Sequence, residues 1–166
     1  VEVDDAYLGG QRSGGKVGRG SENKVPFVAA VETNEDGHPR YAVFAPVKSF
    51  CKAQISAWAH SWLAPTAVVV SDGLACFRAV TDAGCTHVPQ VVGKGRKSTD
   101  MACFAWVNTL LSNIKTAITG TYHSFKFEKY VYRYLAEAQY RFNRRFDLRK
   151  MLPRLLYAGA VTGKRT

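Results

Sequence analysis

Ala67–Phe77, AVVVSDGLACF, constrains the fold of this chain more than any other stretch. Val68, Val69 and Val70 are β-branched and, with Ala67, form an unbroken apolar run. That is the pattern of a strand buried on both faces of a sheet. Gly73 ends it. Asp72 therefore falls at the carboxyl end of a buried strand, where open α/β sheets place their chemistry. Asp is also a good helix N-cap, and SDGLACF starts a predicted helix. On this stretch alone the two readings of Asp72 stand level.

A chain of 166 residues is long enough to bury one full core. Lys and Arg outnumber Asp and Glu 23 to 13, for a net charge of +10. That excess favours a polyanionic partner, nucleic acid first. No apolar run approaches the roughly 20 residues of a membrane span, and no signal-peptide pattern is present. Cys51, Cys76, Cys85 and Cys103 form no C-x-x-C pair. Their scatter argues against zinc and against a disulfide framework, and for buried free thiols in the cytoplasm. The chain opens at Val1 on a strand-like segment, which reads as a fragment lacking an N-terminal part.

Val1–Leu8 reads as a strand, with Asp4 and Asp5 inside it, where carboxylates are unexpected. Gly9–Lys24 is a Gly/Ser-rich loop carrying Arg12, Lys16, Arg19 and Lys24. It is either a solvated hairpin tip or a loop that tracks a phosphate backbone. Val25–Glu32 and Arg40–Lys48 are predicted strands joined by a turn at Asp36-Gly37. Phe50–Leu63 is a predicted helix with Ile55, Trp58 and Trp62 on one face. After the AVVVSDG strand come a short helix, Leu74–Asp82, and a short strand, His87–Val92, placed at an edge by Pro89. Gly93–Asp100 is a second basic loop, with Lys94, Arg96 and Lys97.

Two long helices follow. Met101–Thr119 aligns Cys103, Val107, Leu110, Leu111, Ile114 and Ile118, with Gly120 as its stop. Ser124–Arg145 aligns Phe127, Val131, Tyr134, Ala138 and Phe142. Residues 146–166 read as a loosely structured basic tail, with one short helix over Lys150–Tyr157. Residues 1–145 then read as one folded unit ahead of that tail.

Three antiparallel strands, a helix, a strand ending in Asp, a helix, a short strand and long helices follow the order of the ribonuclease H-like α/β fold, with a mixed five-stranded sheet flanked by helices. In that order the first and fourth strands are neighbours, so Asp4 or Asp5 would face Asp72. Paired carboxylates repel unless a cation lies between them, and a hard divalent ion prefers oxygen ligands. With basic loops to hold a polyanion, the chemistry indicated is phosphodiester cleavage in nucleic acid.

VEVDDAYLGG, VVVSDGLACF and WVNTLLSNIKTAITGTYHSF…YVYRYLAEAQYRFNRR together resemble the catalytic domain of bacterial insertion-sequence transposases, the ISXO-type group of the DDE superfamily. The resemblance covers nearly the whole chain. It implies Mg²⁺ dependence, with Mn²⁺ able to substitute, and cleavage and joining of double-stranded DNA at transposon ends. It also implies a homo-oligomer on DNA and an N-terminal zinc-ribbon-like segment outside this sequence. By position, the metal-holding triad would be Asp4, Asp72 and Asn108. Asn108 lies seven residues before Lys115 and 36 after Asp72, where relatives usually have Glu. Asn offers a carbonyl oxygen without charge. Asn108, Ser112, Lys115 and Thr119 share one helical face, which would bring Lys115 to a phosphate.

Other residues have competing uses. Asp100 reads as an N-cap. Glu137 is expected to pair with Arg133 or Arg141. His123 either caps a helix end or touches phosphate, and His87 reads as structural. Arg141, Arg144 and Arg145, with Arg149, Lys150 and Arg154, read as a DNA-backbone surface or a solvated basic face. Two rivals share these features: a resolvase-type nuclease of the same fold, and a DNA-binding remnant without catalysis.

Overall fold

The structure is a computed structural model that describes residues 1–9, 24–91, 101–121 and 127–162. Its strands are β1 (Glu2–Leu8), β2 (Val25–Thr33), β3 (Pro39–Pro46), β4 (Val68–Ser71) and β5 (Thr86–Pro89). They form one sheet in the order β3-β2-β1-β4-β5. β1, β2 and β3 are an antiparallel meander, and β4 and β5 run parallel to β1. This is the mixed sheet of a ribonuclease H-like α/β fold. The short β4 lies beside β1 as its apolar run requires, with Glu2 opposite Val70 and Val3 opposite Ser71.

The sheet is covered on both faces. α1 (Lys52–Trp62) and a 3₁₀ helix (Ala75–Ala83) cover one. Their core joins Val3, Val28, Val69, Ile55, Trp58, Phe77 and Val80. α2 (Ala105–Thr121) and α3 (Phe127–Asn143) cover the other. There Ala6, Leu8, Phe27, Ala29 and Val31 meet Val107, Leu110, Leu111, Ile114, Ile118, Val131 and Leu135. β2 contributes alternately to both cores, which is why VPFVAAVE is apolar almost throughout. Each fully buried Val, Leu, Ile or Phe among them is worth about 1.5–3 kcal/mol.

Some boundaries differ from the sequence expectation. Trp62, expected on the buried face of α1, is 48% exposed, because it falls in the last turn, beside the β3 edge. Cys103 belongs to a 3₁₀ turn (Ala102–Phe104), so the helical register starts later and Phe104 takes the buried place. Gly120 does not stop α2, which runs on to Thr121. Leu135 is fully buried on α3, next to the expected face of Val131, Tyr134, Ala138 and Phe142. The thiols are free, but Cys51 is exposed and Cys103 only half-buried. The basic tail contains a longer helix than expected, α4 (Leu148–Val161), with Pro153 inside it and no buried residue.

α3 is fastened to the outer strand. Asn143 Oδ1 accepts the Ala42 N–H at 2.7 Å and its amide donates to the Ala42 carbonyl at 2.9 Å. Gln139 Oε1 accepts the Phe44 N–H at 3.0 Å. The two amides continue the ladder of edge strand β3, which covers an otherwise open sheet edge.

Candidate metal centre

Asp72 stands where β4 gives out. Gly73 turns the chain at φ +87°, a region open to glycine and strained for other residues. A Cβ there would also come within 3.3 Å of Val91 Cγ2. The turn is held by side chains: Asp72 Oδ1 accepts the Leu74 N–H at 3.0 Å, and Ser71 Oγ accepts the Gly73 N–H at 3.4 Å. Asp72 is not an N-cap. The 3₁₀ helix starts after Leu74 and has no side-chain cap bond. Ser71 is fully buried, and its Oγ lies 2.9 Å from His87 Nε2. Burial, then the Arg78 charge, hold the His87 imidazole below its ordinary pKa.

β1 supplies two more carboxylates. By strand alternation Asp4 shares its face with Ala6 and Leu8, beneath α2, and Asp5 shares the opposite face with Val3. Oxygens of Asp4, Asp5 and Asp72 nevertheless lie within 4.8 Å of one another. All three residues are half-buried. Asp4 Oδ1 accepts the Asp5 N–H at 2.9 Å. Burial, reinforced by the charges of Asp5 and Asp72, pushes the Asp4 carboxyl up to about 6. The Asp5 N–H and the Lys115 ammonium oppose that shift.

The donor chemistry fits a hard divalent cation. The set is all carboxylate oxygen, and at Asp4 burial and the neighbouring carboxylates outweigh the Lys115 charge. The nearby Cys76 thiol is pushed up by burial and by Asp5, which keeps it protonated and a poor ligand.

Asn108 lies half-buried on α2 and Lys115 exposed on the same helix. Seven residues apart, they project on one side of it. The Lys115 charge acts on Asp4, lowering its pKa by a small part of what burial and the neighbouring carboxylates raise it. The helix is tied to β1 by a residue the sequence reading passed over. Glu2 is only 8% exposed, and its Oε2 accepts the N–H groups of Trp106 at 2.9 Å and Val107 at 2.8 Å. A carboxylate suits a helix N-terminus, where N–H groups lack intrahelical partners. Trp106 Nε1 also donates to the Gly37 carbonyl at 2.7 Å, which ties the β2–β3 turn to the same helix start. An acid two positions before Asp4 in a buried strand was the available signal.

The cationic residues divide into separate groups. Lys24 is exposed next to β2, whose Val25 pairs with Leu8, beyond the carboxylates on β1. Arg141 is exposed and pairs with Glu137 at 3.5 Å, one of the two partners expected for Glu137. Arg144 and Arg145 sit at the end of α3, beside the β2–β3 turn, away from the carboxylates. Arg12, Lys16, Arg19, Lys94, Arg96, Lys97, Asp100 and His123 lie outside the described residues. No described helix is long and apolar enough to cross a membrane.

Residues 1–143 match the family model described as "ISXO2-like transposase domain". No curated protein matches the chain.

Proposed function

Because this chain belongs to the ISXO2-like transposase domain family, we propose that it cuts DNA at transposon ends and joins the freed 3′-hydroxyl to target DNA, with Mg²⁺ held at Asp4, Asp5 and Asp72. Asn108 is the neutral fourth donor, offered from α2. The observation that carries this reading is the convergence of three carboxylates within 4.8 Å. When bound, the ion supplies Lewis-acid polarisation of the scissile phosphate and offsets the negative charge developing on its oxygens.

The chain's own residues do the rest by holding positions. The Leu74 N–H and the Gly73 turn set the Asp72 carboxylate, and the Asp5 N–H sets that of Asp4. Lys115 pairs with a phosphate oxygen of the bound strand and keeps that phosphate beside Asp4. Glu2 fixes the helix that carries both Asn108 and Lys115. Pre-set groups of this kind need little rearrangement when charge develops.

The test is cleavage of an end-labelled transposon-end duplex with and without Mg²⁺. The parent cuts only with the ion, and Asp72→Asn does not cut. A pre-cut end then separates transposase from resolvase: joined product supports the first, and cleavage without joining supports the second. If the parent binds DNA but never cuts it, the chain is a DNA-binding remnant.

A further inference from the structure

We propose that the cleft between the β2–β3 turn and the α3–α4 junction is a second DNA-backbone site, separate from the carboxylates and built to take phosphates of the same duplex. This rests on the transposase reading above. The cleft is open, about 690 Å³ in volume, and lined by Arg40, Arg144, Arg145 and Arg154.

Arg145 is the frame of the cleft. Its guanidinium donates to the carbonyls of Arg40 at 3.2 Å, Phe142 at 2.8 Å and Pro39. It also lies 3.9 Å from the Phe142 ring centroid and 4.4 Å from that of Phe146. It thereby fastens the end of α3 to the start of β3. Arg144 stacks at 4.2 Å over Tyr140, whose hydroxyl donates to the Met151 carbonyl at 3.1 Å and so sets α4. Arg154, on α4, completes the wall.

The charges of this cleft are poorly offset from within the protein. Its one acidic lining residue, Asp147, already pairs with Lys150 at 3.1 Å. Glu32 approaches Arg40 only to 3.9 Å, with both side chains about half exposed. An exposed pair of that kind is worth little. Several guanidiniums around one opening repel one another, and a planar guanidinium fork matches a phosphate bidentately. An extended polyanion answers both conditions.

Strand register places the cleft relative to the carboxylates. Asp4 lies opposite Ala29, Ala29 lies opposite Phe44, and Arg40 is four residues before Phe44 on β3. At about 3.3 Å per residue and about 4.8 Å per strand, Arg40 is roughly 16 Å from Asp4, backbone to backbone. A duplex reaching both places would therefore be cut several base pairs from where the arginines grip it.

The experiment measures duplex binding by anisotropy across a salt series, for the full chain and for the double variant Arg144→Gln, Arg154→Gln. We expect affinity to fall about tenfold and the slope of log K against log salt to become shallower by about 2. Mn²⁺ affinity at the carboxylates should not change. The Arg144→Lys, Arg154→Lys pair should keep the parent slope, which separates lost charge from lost folding. Unchanged affinity and slope in the Gln pair, with a parent that binds and cuts DNA, would overturn the cleft and leave the transposase reading standing. A parent that binds no duplex overturns both. Displacement of DNA by millimolar inorganic phosphate at constant ionic strength would identify a small-anion site and also overturn the proposal.

Discussion

Asp4, mid-way along the central strand β1, and Arg145, at the α3–α4 junction, are charged residues that the fold treats differently. Arg145 is given three carbonyl oxygens and two aromatic faces. Asp4 is given one backbone N–H and the field of Lys115, against burial and two neighbouring carboxylates. The arginine holds structure together, while the carboxylate pushes against its surroundings and its pKa climbs to about 6. Carboxylates held this close together against partial burial mark a candidate functional site. The same contrast separates Arg145 from Arg40, Arg144 and Arg154 around it.

That contrast can be tested by substitution. After the loss of cleavage in Asp72→Asn, the largest effect is expected at Asn108. Asn108→Ala should slow cleavage about a hundredfold or more, equivalent to about 3 kcal/mol of barrier. Asn108→Asp should retain activity with a shifted Mg²⁺ optimum. Cleavage rates against metal concentration measure both, and a fully active Asn108→Ala would remove the residue from the site.

Next comes Glu2, an acid that the fold does satisfy. Glu2→Ala orphans two N–H groups, one buried and one part-buried, and should cost about 2–3 kcal/mol in urea unfolding. Glu2→Gln should recover most of this, because both bonds run to one oxygen, Oε2, which an amide carbonyl can replace. Equal loss in the two variants would mean that Glu2 acts through its charge rather than as an acceptor.

Asp4 gives an effect of opposite sign. Its folded pKa is raised from 3.8 to about 6, so the metal-free fold favours the protonated form. That contribution is complete below the unfolded value and lost as the pH rises through about 6. Asp4→Asn should therefore stabilise the metal-free protein at neutral pH by about 2 kcal/mol, allowing for partial exposure. The gain should fade as the pH falls below about 6. Urea midpoints at several pH values check this, and a destabilised Asp4→Asn at neutral pH would show that the cluster is not under charge strain.

The smallest effect is at Arg145, where Arg145→Ala should destabilise by about 1–2 kcal/mol. No loss would mean that the carbonyl bonds merely replace water. A loss near that of Glu2→Ala would place the α3–α4 junction within the cooperative core.

Much of this was legible in the sequence because it rests on local pattern. A β-branched run cut off by Gly73 marks β4 and puts Asp72 at its end. The alternation of strands and helices gives the sheet order, and the seven-residue spacing of Asn108 and Lys115 gives their shared side of α2. What was not legible depends on contacts between distant residues. The bonds from Glu2 to Trp106 and Val107 span 104 and 105 positions, and no local pattern marks them. Asp5 points by alternation to the face opposite Asp4, yet its carboxylate still reaches the cluster beside the end of β4. The arginine cleft needs Arg40 beside Arg144, which only the β3–α3 packing provides. α4 extends from Leu148 to Val161, past both ends of the helix expected over Lys150–Tyr157, and it buries no residue whose apolar pattern would mark those ends.

The most direct test of the central claim is a Mn²⁺ titration followed by electron paramagnetic resonance, for the parent and for Asp72→Asn. The account predicts protein-bound Mn²⁺ in the parent at neutral pH, weakening as the pH falls through about 6 as protons compete at Asp4. It predicts that Asp72→Asn, still folded, loses that binding. Equal Mn²⁺ binding by the two proteins, or none by a folded parent, would contradict it.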